Sequence, residues 1–171
     1  MSEIKLPEGS KMRNPDFIFG VATSSFQIEG DRENRLDTIW DTFCAGPNIS
    51  DGSNGDVACD HINRWQDDLQ LILDMGVDAY RFSIAWSRVL HQDGTINESG
   101  LRFYTDLIAR LRAANKKIFV TLYHWDLPQY LEDQGGWLNR STAYAFAEYV
   151  DTISLRLGDS VDAYTTLNEP F

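Results

Sequence analysis

The chain has 171 residues and a mass of 19.5 kDa, enough for one domain with a sizeable buried core. Hydrophobic residues make up 43% and charged residues 24%, the balance of a globular rather than a disordered chain. With 15 Lys and Arg against 26 Asp and Glu, the net charge of −11 repels both a nucleic-acid backbone and an anionic membrane surface, so neither is expected as a partner.

Residues 1–14 are polar and read as a flexible lead-in. They lack the apolar stretch of a signal peptide, and no run in the chain approaches the ~18 apolar residues of a membrane span, so a cytoplasmic protein is expected. Residues 17–22, F-I-F-G-V-A, form a short apolar run of the kind a buried strand shows. Residues 43–58 are rich in Gly, Asn, Ser and Asp and are predicted to form a long surface loop. Cys44 and Cys59 lack C-x-x-C spacing and read as reduced thiols.

A regular alternation follows. Ile62, Trp65, Leu69, Ile72 and Leu73 recur at helical spacing, and Gly76 stands where a helix C-terminus needs a left-handed residue. Residues 78–84 read as a strand with Tyr80, Phe82 and Ile84 on one face and Ala79, Arg81 and Ser83 on the other. Leu101, Tyr104, Leu107, Ile108 and Leu111 make the next helical stripe, and residues 118–123 the next strand. Phe146, Val150, Ile153 and Leu157 make a third stripe, closed by Gly158, and residues 161–167 a last strand.

Strands alternating with helices imply parallel pairing and right-handed crossovers. Four strands and three helices fit half of an eight-stranded βα-barrel or a small open doubly wound sheet. Polar residues gather at strand ends: Arg81 and Ser83, then His124, Trp125 and Asp126, then Asn168 and Glu169. A barrel builds its active site at the C-terminal ends of several strands, whereas an open sheet uses one switch point. No G-x-G-x-x-G or G-x-x-x-x-G-K-[ST] supports a nucleotide-binding sheet. The predicted fold class is therefore α/β, a (β/α)8 TIM barrel represented by its first four strands and three helices. A half-barrel has two unpaired edges, so the chain reads as part of a longer protein or one partner of an assembly, and pairing with a second copy through those edges is open to it.

Glu169 precedes Pro170, which pushes it away from helix and toward an extended backbone at the strand end. A carboxyl held in a partly apolar mouth favours its protonated form and suits a general acid near neutral pH. An exposed surface glutamate is the plain alternative, and Asn168 and the other polar strand ends weigh against it. His124 can exchange hydrogen bonds with a hydroxyl, against the alternative of a bonded core histidine. Trp125 offers a flat surface to a sugar ring, against a core role. Gln27 can donate and accept at once, which suits vicinal hydroxyls, against a solvated loop residue. Arg81 reads as pointing into the barrel, where a guanidinium needs a carboxylate partner or a bound anion. A metal hydrolase using His124 and Asp126 is disfavoured for want of a second ligand at metal spacing.

The segments F-I-F-G-V-A-T-S-S-F-Q-I-E-G (residues 17–30), D-T-I-W-D-T-F (37–43), G-D-V-A-C-D-H (55–61), Y-R-F-S-I-A-W-S-R (80–88), V-T-L-Y-H-W-D-L-P-Q (120–129), G-G-W-L-N-R (135–140) and T-L-N-E-P-F (166–171) resemble glycoside hydrolase family 1, the β-glucosidase family, in family order. The resemblance implies a barrel that hydrolyses β-glycosides with retention and needs no cofactor or metal. It implies Glu169 as acid/base, Gln27, His124 and Asn168 on sugar hydroxyls, Trp125 lining the same subsite, and Arg81 as the arginine beside the nucleophile. The nucleophile itself is implied to be a second glutamate in a T-E-N-G-type motif, which these residues do not contain, so a C-terminal half-barrel is implied as partner, joined or in trans. The implied substrate is a β-glucoside or cello-oligosaccharide. A 6-phospho-β-glucosidase and a non-catalytic sugar-binding or assembly fragment share these motifs and stay open. Asp31 and His91 depart from the family pattern, outside the residues assigned to sugar.

Overall fold

The computed structural model describes residues 5–170, so the first four residues of the lead-in and Phe171 of the last motif lie outside it. Four strands, β1 (Gly20–Ala22), β2 (Ala79–Ser83), β3 (Lys117–Tyr123) and β4 (Ala163–Leu167), form one parallel sheet in the order β1-β2-β3-β4. Chain order and sheet order coincide, so the sheet has no switch point. That is the arrangement of a barrel wall and not of a doubly wound sheet.

Seven α-helices punctuate the described residues: α1 (Ser25–Ile28), α2 (Ile39–Ala45), α3 (His61–Asp74), α4 (Trp86–Val89), α5 (Glu98–Ala113), α6 (Gln129–Glu132) and α7 (Arg140–Leu157). The long ones, α3, α5 and α7, are the predicted stripes. Asn97 caps α5 by accepting from the Gly100 N–H (3.3 Å), and Asn139 caps α7 by accepting from the Ser141 N–H (3.0 Å). Gly76, at φ +70°, ends α3 where a side chain would be penalised.

The helices cover one face of the sheet. Phe82 stacks on Tyr104 of α5, with centroids 6.4 Å apart and planes 3° from parallel. The Tyr149 hydroxyl of α7 donates to the carbonyls of Ile84 (3.1 Å) and Leu122 (2.9 Å), tying the ends of two strands to one helix. On the opposite face Ala22, Arg81, Phe119, Ala163 and Thr165 are half-buried or exposed, while Ala79, Ser83 and Thr121 are buried. The alternation along β2 thus sends Tyr80, Phe82 and Ile84 to the helices and leaves Arg81 on the inner face.

Two boundaries differ most from expectation, the strand ends otherwise shifting by one or two residues. β1 is shorter than the apolar run, because Phe17 and Phe19 lie outside the core, ring against ring at 4.8 Å. The long loop begins at Gly46, since α2 takes up its first residues. The short helices α1, α4 and α6 occupy the loops after β1, β2 and β3, and these loops bond to one another, the Leu36 N–H to the Ser87 carbonyl (2.9 Å) and the Gln129 N–H to the Asp37 carbonyl (2.8 Å).

Candidate active site

The site is built outward from Asn168, which follows β4 and is 8% exposed. Its N–H donates to the Tyr123 carbonyl (2.9 Å), its Oδ1 accepts from Arg81 Nη1 (3.2 Å), and its own carbonyl accepts from the Trp125 indole Nε1–H (2.8 Å). One residue thereby joins β2, β3 and β4 at their C-terminal ends. Of the carboxylate partner or bound anion expected for Arg81, no carboxylate is bonded to it among the described residues; the guanidinium is bonded to the Asn168 amide.

Glu169 follows at φ +46°, with an exposed side chain. This corrects the expected extended backbone. Proline does disfavour the right-handed helical region, but the bonds on Asn168 fix the preceding peptide and the chain turns through the left-handed region instead of the extended one. Trp125 is also left-handed, at φ +70°. A cleft of about 470 Å³ lies here, lined by Tyr123, Trp125, Trp137, Leu167, Asn168, Glu169 and Pro170. Glu169 is the one carboxylate lining it among the described residues.

His124 is half-buried, with its ring 5.6 Å from that of Trp125. Burial, and then the charge of Arg81, lower its pKa, while Glu169 pulls the other way. The lowering favours the neutral imidazole at neutral pH, a ring that both donates and accepts. Its buried Nδ1 has no protein partner among the described residues.

Gln27, on α1, is exposed, and its Oε1 accepts from the Ser24 hydroxyl. It does not line the cleft, and its link to the other candidates runs through its neighbour. Ser25 Oγ donates to Asp126 Oδ2 (2.7 Å), the Ser25 N–H donates to Ser83 Oγ (2.7 Å), and Ser83 Oγ donates to Ser25 Oγ (3.0 Å). This chain couples the loops after β1 and β3 to the end of β2.

Sequence reasoning gave no role to Ser25 or to the buried ion cluster beneath. Arg88, 2% exposed, donates from Nε to Glu29 Oε2 (2.9 Å), from Nη1 to Asp31 Oδ2 (2.9 Å) and from Nη2 to the Gly30 carbonyl (2.8 Å). Tyr104 completes it by donating to Glu29 Oε1. Asp31, one of the two departures, therefore anchors the loop after β1 from a left-handed position at φ +52°. The other, His91, lies exposed in a turn closed by its N–H to the Thr95 carbonyl (2.8 Å). Glu29 and Arg88 both stand inside the quoted motifs, yet only the fold shows that they meet. Trp137, also inside a quoted motif, packs edge-on against Tyr123 at 5.1 Å on the cleft wall.

A larger cleft, about 690 Å³, lies among the charged residues of the loop after β1. Its central cation, Arg32, is spent on Asp37 (2.9 Å) and Asp56 (3.2 Å), so its charges bind one another. The smaller cleft at the strand ends has the apolar walls and the uncommitted carboxyl that chemistry requires.

Comparison with known proteins bears on this geometry. The sequence model of "Glycosyl hydrolase family 1" matches residues 10–171. A "Beta-glucosidase" of Agrobacterium sp. is 54% identical over 160 residues, covering 91% of this chain and 35% of that protein. The structure of virulence factor SghA with its substrate analog salicin superposes with a TM-score of 0.87 at 56% identity, over 91% of this chain and 35% of its own. The β-glucosidase from Thermotoga maritima in complex with deoxynojirimycin gives 0.85 at 46% identity, over 97% of this chain and 37% of its own. The chain thus spans little more than a third of the length of these proteins.

Proposed function

The chain belongs to glycosyl hydrolase family 1, and on that premise we propose that it supplies the acid/base and glycone-binding side of a retaining β-glycosidase. The observation that carries this reading is the clamp on Asn168, which delivers Glu169 to an aromatic-walled cleft at the strand ends. The names of the relatives favour glucose as the glycone.

A retaining reaction needs two carboxyl groups ~5–5.5 Å apart. Protonated Glu169 gives its proton to the glycosidic oxygen as the bond to the anomeric carbon breaks. The opposing carboxylate, supplied by a C-terminal portion, attacks that carbon and forms a glycosyl-enzyme. Glu169, now ionised, takes a proton from water, the water oxygen attacks the same carbon as its bond to the opposing carboxylate breaks, and the sugar leaves with its configuration retained.

The surrounding groups fit the grip on a pyranose. Arg81 occupies Asn168 Oδ1 and Ser24 occupies Gln27 Oε1, which leaves both amide nitrogens as donors to sugar hydroxyls. Neutral His124 completes the set, and the Trp125 ring presents an apolar face. Such bonds accelerate the reaction to the extent that they strengthen as charge develops on the sugar.

The 171-residue chain alone is expected to leave aryl β-glucosides intact, and joining it to a C-terminal portion, covalently or in trans, to give turnover. Glu169→Gln in the joined protein should then cost on the order of 10²–10⁴-fold on substrates with poor leaving groups. Unchanged turnover by Glu169→Gln, or hydrolysis by the isolated chain, would overturn the assignment.

A further inference from the structure

Trp125 and Glu169 share a backbone peculiarity: both hold positive φ, +70° and +46°, although both carry a Cβ. That region is penalised for such residues and persists only where neighbours enforce it. For Glu169 the enforcing bonds all fall on Asn168, and they act on different parts of it. The N–H bond to Tyr123 extends the sheet, and the Arg81 bond turns the side-chain amide. Only the Trp125 bond, at 2.8 Å, grips the Asn168 carbonyl. That carbonyl and the Glu169 nitrogen lie in one rigid peptide plane, so aiming the carbonyl fixes the Glu169 N–Cα axis, about which its φ of +46° directs the side chain. Pro170 restricts the other side, because its ring limits the conformations open to the residue before it.

The indole has a single donor, its Nε1–H. Here that donor is committed to the backbone while the ring, 39% exposed, lines the cleft. Ring and N–H are therefore separable: the ring faces substrate space and the N–H holds the glutamate's peptide. We propose that Trp125 is a positioning residue for Glu169, acting through the Asn168 carbonyl and distinct from any contact its ring makes with the sugar. The proposal rests on Glu169 being the acid/base. A displaced acid fails in proton delivery while the glycone stays held by Gln27, His124 and the Asn168 side chain.

Leaving-group dependence separates the two roles. Trp125→Phe keeps an aromatic ring and deletes the donor. In the chain joined to its C-terminal portion, kcat/KM would be measured for phenyl β-glucoside, whose departure needs a proton, and for 2,4-dinitrophenyl β-glucoside, whose departure does not. The expected result is a loss of roughly 10²-fold on the phenyl glucoside, the cost of about 1 Å of misplacement. The dinitrophenyl glucoside should change by less than about threefold, since its transition state takes no help from the acid. Equal losses on both substrates would assign Trp125 to the sugar instead, and no loss on either would leave it no part in the reaction; both overturn the proposal. Failure of the unsubstituted joined protein to hydrolyse either glucoside would sink the glycosidase reading and, with it, this role.

A second measurement covers a Trp125→Phe that does not fold. In the unsubstituted protein the Trp125 indole proton should exchange with solvent far more slowly than an exposed indole, as followed by nuclear magnetic resonance. Exchange at the rate of an exposed indole would overturn the grip on the Asn168 carbonyl.

Discussion

Asp126 is buried, 1% exposed, between the Ser25 hydroxyl (2.7 Å) and the His124 N–H (3.4 Å). Burial pushes its pKa up to about 6, the Ser25 bond works against the rise, and the charge of Glu29 adds to it. A carboxyl whose folded pKa lies above its unfolded value favours folding most when protonated, so its contribution is complete below the unfolded value of 3.8 and is lost as pH rises through about 6. Across that window Asp126→Asn should remove a pH-dependent term of roughly 3 kcal/mol at most. Melting both chains from pH 4 to pH 7 tests this: the native chain should lose stability relative to the variant as pH rises, and parallel curves would contradict a buried charge at this position. The sequence places Asp126 in the H-W-D segment but does not show which oxygens it meets, because Ser25 arrives from a loop 101 residues away. The backbone of Glu169 is hidden in the same way, since its φ follows from tertiary bonds on its neighbour. The face of Arg81, by contrast, is legible from the alternation of Tyr80, Phe82 and Ile84, which is a property of the strand itself.

Among the elements, length decides what the sequence reveals. α3, α5 and α7 run for 14, 16 and 18 residues, long enough for an apolar stripe to repeat. α1, α4 and α6 are single turns of 4 residues with no period to read, and α1 is the piece that carries Gln27. α4 is held against α5 by Gly100, in the first turn of α5. A Cβ there would meet the Arg88 carbonyl and the base of its side chain, with little room for either to yield because Arg88 is buried and tied by three hydrogen bonds. Helix propensity alone favours Ala over Gly by about 1 kcal/mol, so an exposed site would be stabilised by the change. Here overpacking prevails, and Gly100→Ala should destabilise the chain by about 1–3 kcal/mol, read from denaturant midpoints. A gain in stability would mean that α4 and α5 are free to separate. The same displacement would move Arg88 off Glu29 and Asp31 and loosen the loop after β1.

At the scale of the whole molecule, two opposing terms set how the chain behaves alone. The sheet has β1 at one edge and β4 at the other, and β4 is exposed or half-buried along all of its 5 residues. An unpaired edge of that length is a template for another strand. Against it stands a net charge of −11, which two copies must bring together. Repulsion between exposed charges is screened within ~10 Å at 0.1 M salt, while hydrogen bonds between strands and apolar contacts are not. Self-association of the isolated chain is therefore expected to strengthen with salt, giving a dimer by sedimentation at 0.3 M salt and more monomer at 0.02 M. A C-terminal portion that pairs with the same edges should abolish the dimer at either salt and leave a one-to-one complex. A monomer at every salt and concentration would show that the side chains of β1 and β4 protect their own edges. Dimers that persist beside the C-terminal portion would place self-association on the helical face, where Tyr144 and Leu155 stand exposed on α7.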